Sequence, residues 1–142
     1  MTAYDQRPGY LLRRAEHALR LTMDRDLATV GLTTPQYAAL SALEREAEIS
    51  NAELARRCFV TPQTMHRLVE TLGREALLDR ADDDRGRGRT QRLRVTASGK
   101  ATLRRAHRLV EAIEDRMVAA IDPAAVDTTV RTLDGAAEAL NT

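Results

Sequence analysis

Three side chains near the start of a predicted helix carry groups that suit hydrogen bonding to an extended polar ligand: Gln63, Thr64 and Arg67. An amide and a hydroxyl are short enough to meet base edges in the major groove of duplex DNA, and arginine can donate two parallel hydrogen bonds to guanine or to phosphate. This set predicts a helix that reads base pairs. His66 lies on the same face and could contact a base or phosphate, or simply be solvated.

A second group of cations follows in residues 78–95, whose polar and apolar alternation predicts a β-hairpin. Its tip contains three arginines separated by single glycines: Arg85, Arg87 and Arg89. Glycine lets the backbone turn tightly while the guanidiniums project into a narrow minor groove. Arg92 and Arg94 lie on one side of the second strand, and we expect one or both to contact phosphates. Phosphate would repel the acidic residues 82–84, so we interpret them as structural.

Histidine and cysteine are too scattered to predict catalysis or metal binding. The chain contains His17, His66, His107 and Cys58. They lie on separate predicted helices, without nucleophile–base spacing, a glycine-rich phosphate loop or a metal cluster, so we expect neither an enzyme nor a cofactor or metal. Cys58 beside Arg56 and Arg57 could have a lowered pKa and sense oxidants. Its spacing from Leu54 instead favours a small buried hydrophobe.

The charge of the chain is nearly balanced in total but unevenly distributed. The 142 residues carry a net charge of +1, yet residues 50–108 hold 14 Arg and Lys against 7 Asp and Glu, and residues 109–142 hold 2 against 7. Binding to DNA requires such a local basic surface, because neutralising phosphates releases counterions. The alternative is a solvated charged face.

Composition also limits the class of protein. No apolar run approaches the roughly 20 residues that a membrane helix needs, and the N-terminus lacks the layout of a secretory signal. A single cysteine excludes a disulfide framework. These features predict one cytoplasmic domain, with no membrane partner.

Capping signals place a short helix directly before the predicted reading helix. Ser50 and Glu53 form a predicted capping box at the start of the short helix. Phe59 and Val60 follow as a tight turn, after which Thr61 caps the reading helix, whose first residue is proline. Thr61 could also bond a phosphate, but capping is the role that we expect. The result is a helix-turn-helix spacing.

Amphipathic helices flank this motif on both sides. They are predicted over residues 8–28, from a Thr33 and Gln36 capping box to about Arg45, after Thr96, and after Asp122. The apolar stripe of the last helix comprises Val126, Val130, Leu133, Ala137 and Leu140. An isolated monomer would expose such stripes, so the sequence predicts a homodimer.

Three stretches resemble the MarR family of winged helix-turn-helix regulators. They are LTTPQY at 32–37, LARRCFVTPQTMHRLV at 54–69 and LRVTASG at 93–99. The likeness extends over essentially the whole chain. It implies a mainly α fold with a small β-hairpin wing, in which residues 32–99 form the DNA-binding region and residues 1–31 and 100–142 form dimerisation helices.

The same resemblance implies a function. The expected protein is a sequence-specific regulator of transcription, a repressor that binds a pseudo-palindromic operator in double-stranded DNA as a homodimer. By the same resemblance, a small aromatic or lipophilic effector releases it from DNA. Tyr10, His17 and Tyr37 are the candidate residues for binding the effector, although a tyrosine on an amphipathic helix more often forms the edge of the core.

The chain departs from the family pattern at the hairpin tip and at the turn. Arg89 aligns with the usual tip arginine, but Arg87 stands where many relatives have aspartate, so either can be the inserting residue. Phe59 replaces the more usual glycine of the turn, and Cys58 occupies a position that is usually apolar. A rival interpretation is a winged helix used only for protein contacts, for which affinity for duplex DNA would be absent or would not change between low and moderate salt.

Overall fold

The computed structural model describes residues 3–80 and 92–141 and confirms a mainly α fold with a two-stranded hairpin. Within these residues the elements are α1 (Pro8–Ala28), α2 (Thr34–Arg45), α3 (Asn51–Arg57), α4 (Pro62–Arg74), β1 (Leu78–Arg80), β2 (Leu93–Val95), α5 (Ala97–Ala119) and α6 (Val126–Leu140). Helix α4 is the predicted reading helix. Contacts between residues divide the chain into two compact units, Met1–Leu109 and Val110–Thr142.

The capping box predicted for α2 is present in full. Of the capping box predicted for α3, the structure contains the bond to the Ser50 side chain but not the return bond from the Glu53 side chain. Thr33 accepts the Gln36 N–H at 3.3 Å, and the Gln36 side chain accepts the Thr33 N–H at 2.9 Å. Ser50 likewise accepts a backbone N–H, that of Glu53, at 3.1 Å. The Glu53 carboxylate instead bonds Arg56 and Arg57. Charged donors form stronger hydrogen bonds to a carboxylate than a neutral N–H does, so they outcompete the predicted return bond.

The last helix begins later than the sequence predicts. The Asp122 carboxylate accepts the Ala124 N–H at 3.0 Å and so caps a short 3-10 turn, Pro123–Ala125. Helix α6 follows from Val126. The capping signal was therefore interpreted correctly, but it initiates the tighter turn that precedes the helix.

Helix α2 lies at the centre of the first unit, where it packs against α1, α3, α4 and β2. The largest fully buried side chains come from helices α1 to α5: Leu27, Leu40, Leu54, Met65, Leu72 and Leu103. Burying one such side chain stabilises a fold by about 1.5–3 kcal/mol. This core holds the helix-turn-helix rigidly against the hairpin base.

The hairpin base is joined closely to the start of α5. Strands β1 and β2 pair antiparallel, with Leu78 opposite Val95. Thr96 donates its N–H to the Leu77 carbonyl at 3.1 Å and accepts the Gly99 N–H at 2.9 Å. A Cβ on Gly99 would lie 2.2 Å from the Leu77 carbonyl oxygen, so only glycine fits this approach.

The second unit contains the end of α5, the 3-10 turn and α6. Ile113 is buried in it, but no residue of α6 is. Val130 is 62% exposed, Leu133 46% and Leu140 83%. The stripe that the sequence predicts for dimerisation is therefore uncovered in the single chain. No helix in the two described ranges is both long enough and apolar enough to cross a membrane.

Candidate nucleic-acid interface

The start of α4 is held by its own side-chain cap. Thr61 has extended backbone angles and accepts the Thr64 N–H at 3.1 Å, while its hydroxyl donates to the Thr64 hydroxyl at 3.0 Å. Pro62, the first helical residue, removes an N–H that would otherwise lack a partner. The capping role predicted for Thr61 is confirmed. It fixes Thr64, whose hydroxyl hydrogen is still available to donate outward.

Helix α4 separates a buried apolar face from an exposed polar face. Met65 and Leu72 are fully buried. The exposed face carries the four residues that the sequence singles out: Gln63, Thr64, His66 and Arg67. Among the described residues, no carboxylate pairs with Arg67, so its guanidinium is available to an external acceptor. The structure thus brings these four side chains together on one accessible surface.

A side-chain hydrogen bond links the starts of α3 and α4, and sequence reasoning missed it. The Asn51 amide donates to the Pro62 carbonyl at 3.1 Å. Asn51 lies at the first position of α3 and Pro62 at the first position of α4. This bond fixes the direction of the reading helix relative to its supporting helix. Because the two residues are 11 positions apart, no local sequence pattern indicates this contact, and only the folded structure shows it.

Acidic side chains hold the two arginines at the end of α3. Arg57 bonds Glu53 at 3.1 Å and Glu46 at 3.0 Å, and Arg56 bonds Glu53. Hydrogen bonds from Arg56 and then Arg57 lower the pKa of Glu53. The hydrogen bonds that Arg57 donates to Glu53 and then to Glu46 raise the pKa of Arg57. Arg57 therefore ties α3 to the end of α2, and less of the charge of both arginines is left for phosphate.

Two arginines of the hairpin base also have acidic partners. Arg94 lies opposite Asp79 in the strand register and bonds its carboxylate at 2.9 Å. Arg92 lies 3.5 Å from Glu48, and both side chains are at least half exposed. Exposed pairs of this kind contribute little stability, so Arg92 can exchange Glu48 for a phosphate. The tip residues Arg85, Arg87 and Arg89 lie outside the described residues.

A groove of about 370 Å³ runs between α4 and the hairpin base. Its lining includes Asn51, His66, Glu70 and Arg80. Arg80 ends β1 and is exposed, and no described acidic residue pairs with it. We therefore add Arg80 to the candidate phosphate contacts. Its signal in the sequence was its place in the predicted hairpin, five positions before Arg85.

The three residues predicted to bind the effector lie in two separate clusters. Tyr10 and His17 line a shallow groove of about 440 Å³ on α1, which Arg13 also lines. Tyr37 instead belongs to a cluster between α2 and α5: its hydroxyl lies 2.8 Å from Nδ1 of His107. On the other side of that ring, Nε2 lies 3.4 Å from a Glu44 carboxylate oxygen.

The one cysteine is buried. Cys58 is 5% exposed, and burial raises the pKa of its thiol. A raised pKa leaves less thiolate at neutral pH, and thiolate is the reactive form. Within the described residues there is also no group of three His, Cys, Asp or Glu that could hold a metal ion. The environment of Cys58 favours the core interpretation over the redox one.

We therefore expect slow labelling of Cys58. In the folded protein an aromatic disulfide reagent should react at least on the order of 100-fold more slowly than in the urea-unfolded chain, because the thiol must wait for local opening. The rates are measured by absorbance under identical pH. Equal rates in both states would show an accessible thiol and restore the redox hypothesis.

The chain resembles known regulators of transcription along most of its length. The sequence model of the MarR family matches residues 30–88. The HTH-type transcriptional repressor Rv2887 of Mycobacterium tuberculosis is 35% identical over 111 residues, which make up 78% of this chain and 79% of the repressor. The chain belongs to the MarR family. It is thus a member of a family of transcription regulators, as the three motif stretches predict.

Solved MarR structures share the fold. Rv2887 in complex with salicylic acid has a TM-score of 0.76 and 32% identity, covering 94% of this chain and 98% of that one. Rv2887 in complex with DNA has a TM-score of 0.73 and 30% identity, covering 92% and 98%. The repressor CouR, bound to a 23-mer DNA duplex, has a TM-score of 0.82 and 25% identity, covering 96% and 98%. The predicted winged helix-turn-helix architecture is confirmed.

Proposed function

We propose that this MarR protein is a homodimeric repressor that binds a pseudo-palindromic operator in double-stranded DNA and leaves it when a small aromatic effector binds. Residues 32–99 form the proposed DNA-binding region, and residues 1–31 and 100–142 supply the dimerisation helices. The protein acts by binding alone, without catalysis or a cofactor. Because its ligand is genomic DNA, its proposed location is the cytoplasm.

The observation that carries this proposal is the exposed polar face at the capped start of α4. Gln63 and Thr64 lie in the first turn, where short side chains let the backbone approach base edges closely. Arg67 lies one turn further along and is exposed, and no carboxylate of the described residues pairs with it. A helix with these groups and a buried opposite face can enter a major groove without disturbing the core. The DNA complexes of Rv2887 and CouR support the same use of the fold.

Charge and exposed apolar surface support the DNA and dimer parts of the proposal. The basic excess lies in residues 50–108, which include α4 and the hairpin. Arg80, Arg92 and the tip arginines Arg85, Arg87 and Arg89 are the proposed phosphate and minor-groove contacts. The uncovered stripe on α6 is the proposed dimer surface, which pairs two reading helices about one DNA turn apart.

The effector is proposed to be an aromatic anion. Tyr10, His17 and Arg13 line the α1 groove, so aromatic and cationic groups are available together. Arg20 donates to Nδ1 of His17 at 3.2 Å and orients the ring. The complex of Rv2887 with salicylic acid supports this class of ligand. Tyr37, which is hydrogen-bonded to His107, lies in the second region that is proposed to contact the effector.

Selection of duplexes from a random pool tests the function directly. The wild-type protein should enrich a two-fold symmetric sequence, and its affinity should fall steeply as salt rises, because binding releases counterions. Repeating the selection with salicylate should reduce the recovered DNA. Failure to retain any duplex at low salt would overturn the proposal and favour a winged helix that contacts only protein.

The Arg67→Ala variant then tests the reading role. Loss of a bidentate base contact should weaken binding to the selected duplex by about 1–3 kcal/mol and change binding to random DNA little. Titrations of both duplexes by fluorescence anisotropy measure the difference. Arg25→Ala is the matched control, since Arg25 is an exposed arginine of α1 paired with Asp26 at 2.8 Å. Equal losses of affinity for both duplexes would show that Arg67 contacts a phosphate and not a base.

A further inference from the structure

Three helices of the first unit end with the same hydrogen-bond pattern, in which an N–H reaches back five residues to a carbonyl. These bonds run from Leu32 to Leu27, from Val60 to Ala55 and from Leu77 to Leu72, over 3.1, 3.0 and 2.9 Å. The pattern forces the residue before the donor into the left-handed region. The residues in that position are Gly31, Phe59 and Ala76, with φ angles of 77°, 57° and 58°.

Phe59 is poorly suited to this position by every local criterion. Glycine adopts a positive φ without a steric penalty, whereas the Cβ of phenylalanine crowds the following carbonyl oxygen. Packing does not compensate for the strain, because Phe59 is 96% exposed. An aromatic ring that is uncovered, absent from the core and attached to a strained backbone does not stabilise the fold by packing. The same backbone conformation occurs at Ala76, so what distinguishes Phe59 is a large apolar ring held almost fully in solvent, where it is available to a partner.

The position of Phe59 suggests what that constraint is. It lies two residues before Thr61, the cap of α4, so the two Cα atoms are at most about 7 Å apart. The start of α4 is the part of the protein proposed to enter the major groove. A long, exposed side chain so close to it can reach the edge of that groove, where a DNA strand passes. The apolar groups that DNA offers there are deoxyribose carbons and thymine methyl groups.

We propose that Phe59 is a DNA contact, whose ring packs against a deoxyribose or a thymine methyl at the edge of the major groove. This inference rests on the proposed function, since it needs a duplex bound at α4. It adds an apolar contact beside the polar contacts of Gln63, Thr64 and Arg67. The contact excludes water from apolar surface of both partners, and it occurs twice in a dimer.

The test uses opposite effects on folding and on binding. Phe59→Gly removes the strain and should raise Tm by a few degrees. The same change should weaken binding to the selected duplex by about 5- to 30-fold. Phe59→Leu keeps an apolar side chain in the strained position and should retain most of the affinity. Ala76→Gly is the matched control: it relieves the same strain at the far end of α4, and should raise Tm while leaving DNA affinity unchanged.

The DNA used in the test distinguishes the two apolar groups. Replacing thymine by uracil in the selected duplex removes the methyl groups. If a methyl group is the partner, the wild type should bind the uracil duplex more weakly than the thymine duplex. Phe59→Gly already lacks this contact, so it should bind the two duplexes equally. If deoxyribose is the partner, uracil should have no effect, and Phe59→Gly should weaken binding to random DNA equally. Unchanged affinity of Phe59→Gly with a raised Tm would overturn the inference but not the proposed function. A wild type that binds no duplex would overturn both.

Discussion

The double variant Val130→Asp/Leu133→Asp is expected to be a folded monomer that has lost operator binding. Both side chains are exposed in the single chain, so aspartate there should leave the far-ultraviolet helical signal intact. In the proposed dimer the same positions are buried, and an unpaired buried carboxylate is strongly unfavourable. The variant should sediment as a monomer at micromolar concentrations where the wild type is a dimer.

The effect on DNA follows from the loss of the second half-site. Two linked reading helices bind with an effective concentration that one alone cannot reach, so affinity for the selected duplex should fall by about 100-fold or more. Affinity for a duplex with one half-site should change little. Anisotropy titrations with the two duplexes measure both values.

Thr128→Asp is the matched control for this experiment. At 3.6 residues per turn, Thr128 lies on the opposite side of α6 from Val130 and Leu133, and it is exposed. The Thr128→Asp variant adds one carboxylate, where the double variant adds two, without touching the stripe, so it should remain dimeric and bind normally. If the double variant also stayed dimeric, the interface would have to lie elsewhere.

The Gly99→Ala variant is expected to lose about 3 kcal/mol of folding stability, the upper end of the usual overpacking range. The added Cβ would lie 2.2 Å from the Leu77 carbonyl oxygen and 2.9 Å from Cγ1 of Val95. Both neighbours belong to the hairpin base, and the carbonyl is backbone that also accepts the Thr96 N–H. Relief therefore requires the strands to move away from α5. Urea unfolding monitored by circular dichroism gives the change in the free energy of unfolding.

Gly73→Ala should act in the opposite direction. Gly73 lies within α4, and a Cβ built there meets nothing within 4 Å. Alanine favours the helix by roughly 0.5–1 kcal/mol over glycine, so this variant should be slightly more stable. A Gly99→Ala protein as stable as the wild type would show that the strand and helix are not in the contact described.

Local sequence signals predicted the helices well because the interactions that start a helix span only three or four residues. Thr33, Ser50 and Thr61 each accept an N–H three residues along the chain, as their side chains predict. The apolar period of α4 correctly placed Met65 and Leu72 inside. These features need no knowledge of the rest of the molecule.

Competition among side chains was less predictable. The sequence could show that Glu53 was able to reach back to its cap, but not that Arg56 and Arg57 would take its carboxylate. Alternation placed Arg94 on the hairpin surface, but its pairing with Asp79 depends on the strand register. In each case two partners were chemically possible, and the geometry of the folded chain selected one.

The chemistry of Gln63, Thr64 and Arg67 was determined by the sequence alone, since residue type, cap and helical period together define an exposed polar face. Only the tertiary structure showed that Asn51 fixes the direction of that helix and that Phe59 stands strained and exposed beside its start. It also placed Arg80 in the groove between α4 and the hairpin. The physical reason is range: a cap or an amphipathic face repeats within one helix, whereas these contacts depend on how separate elements meet in space.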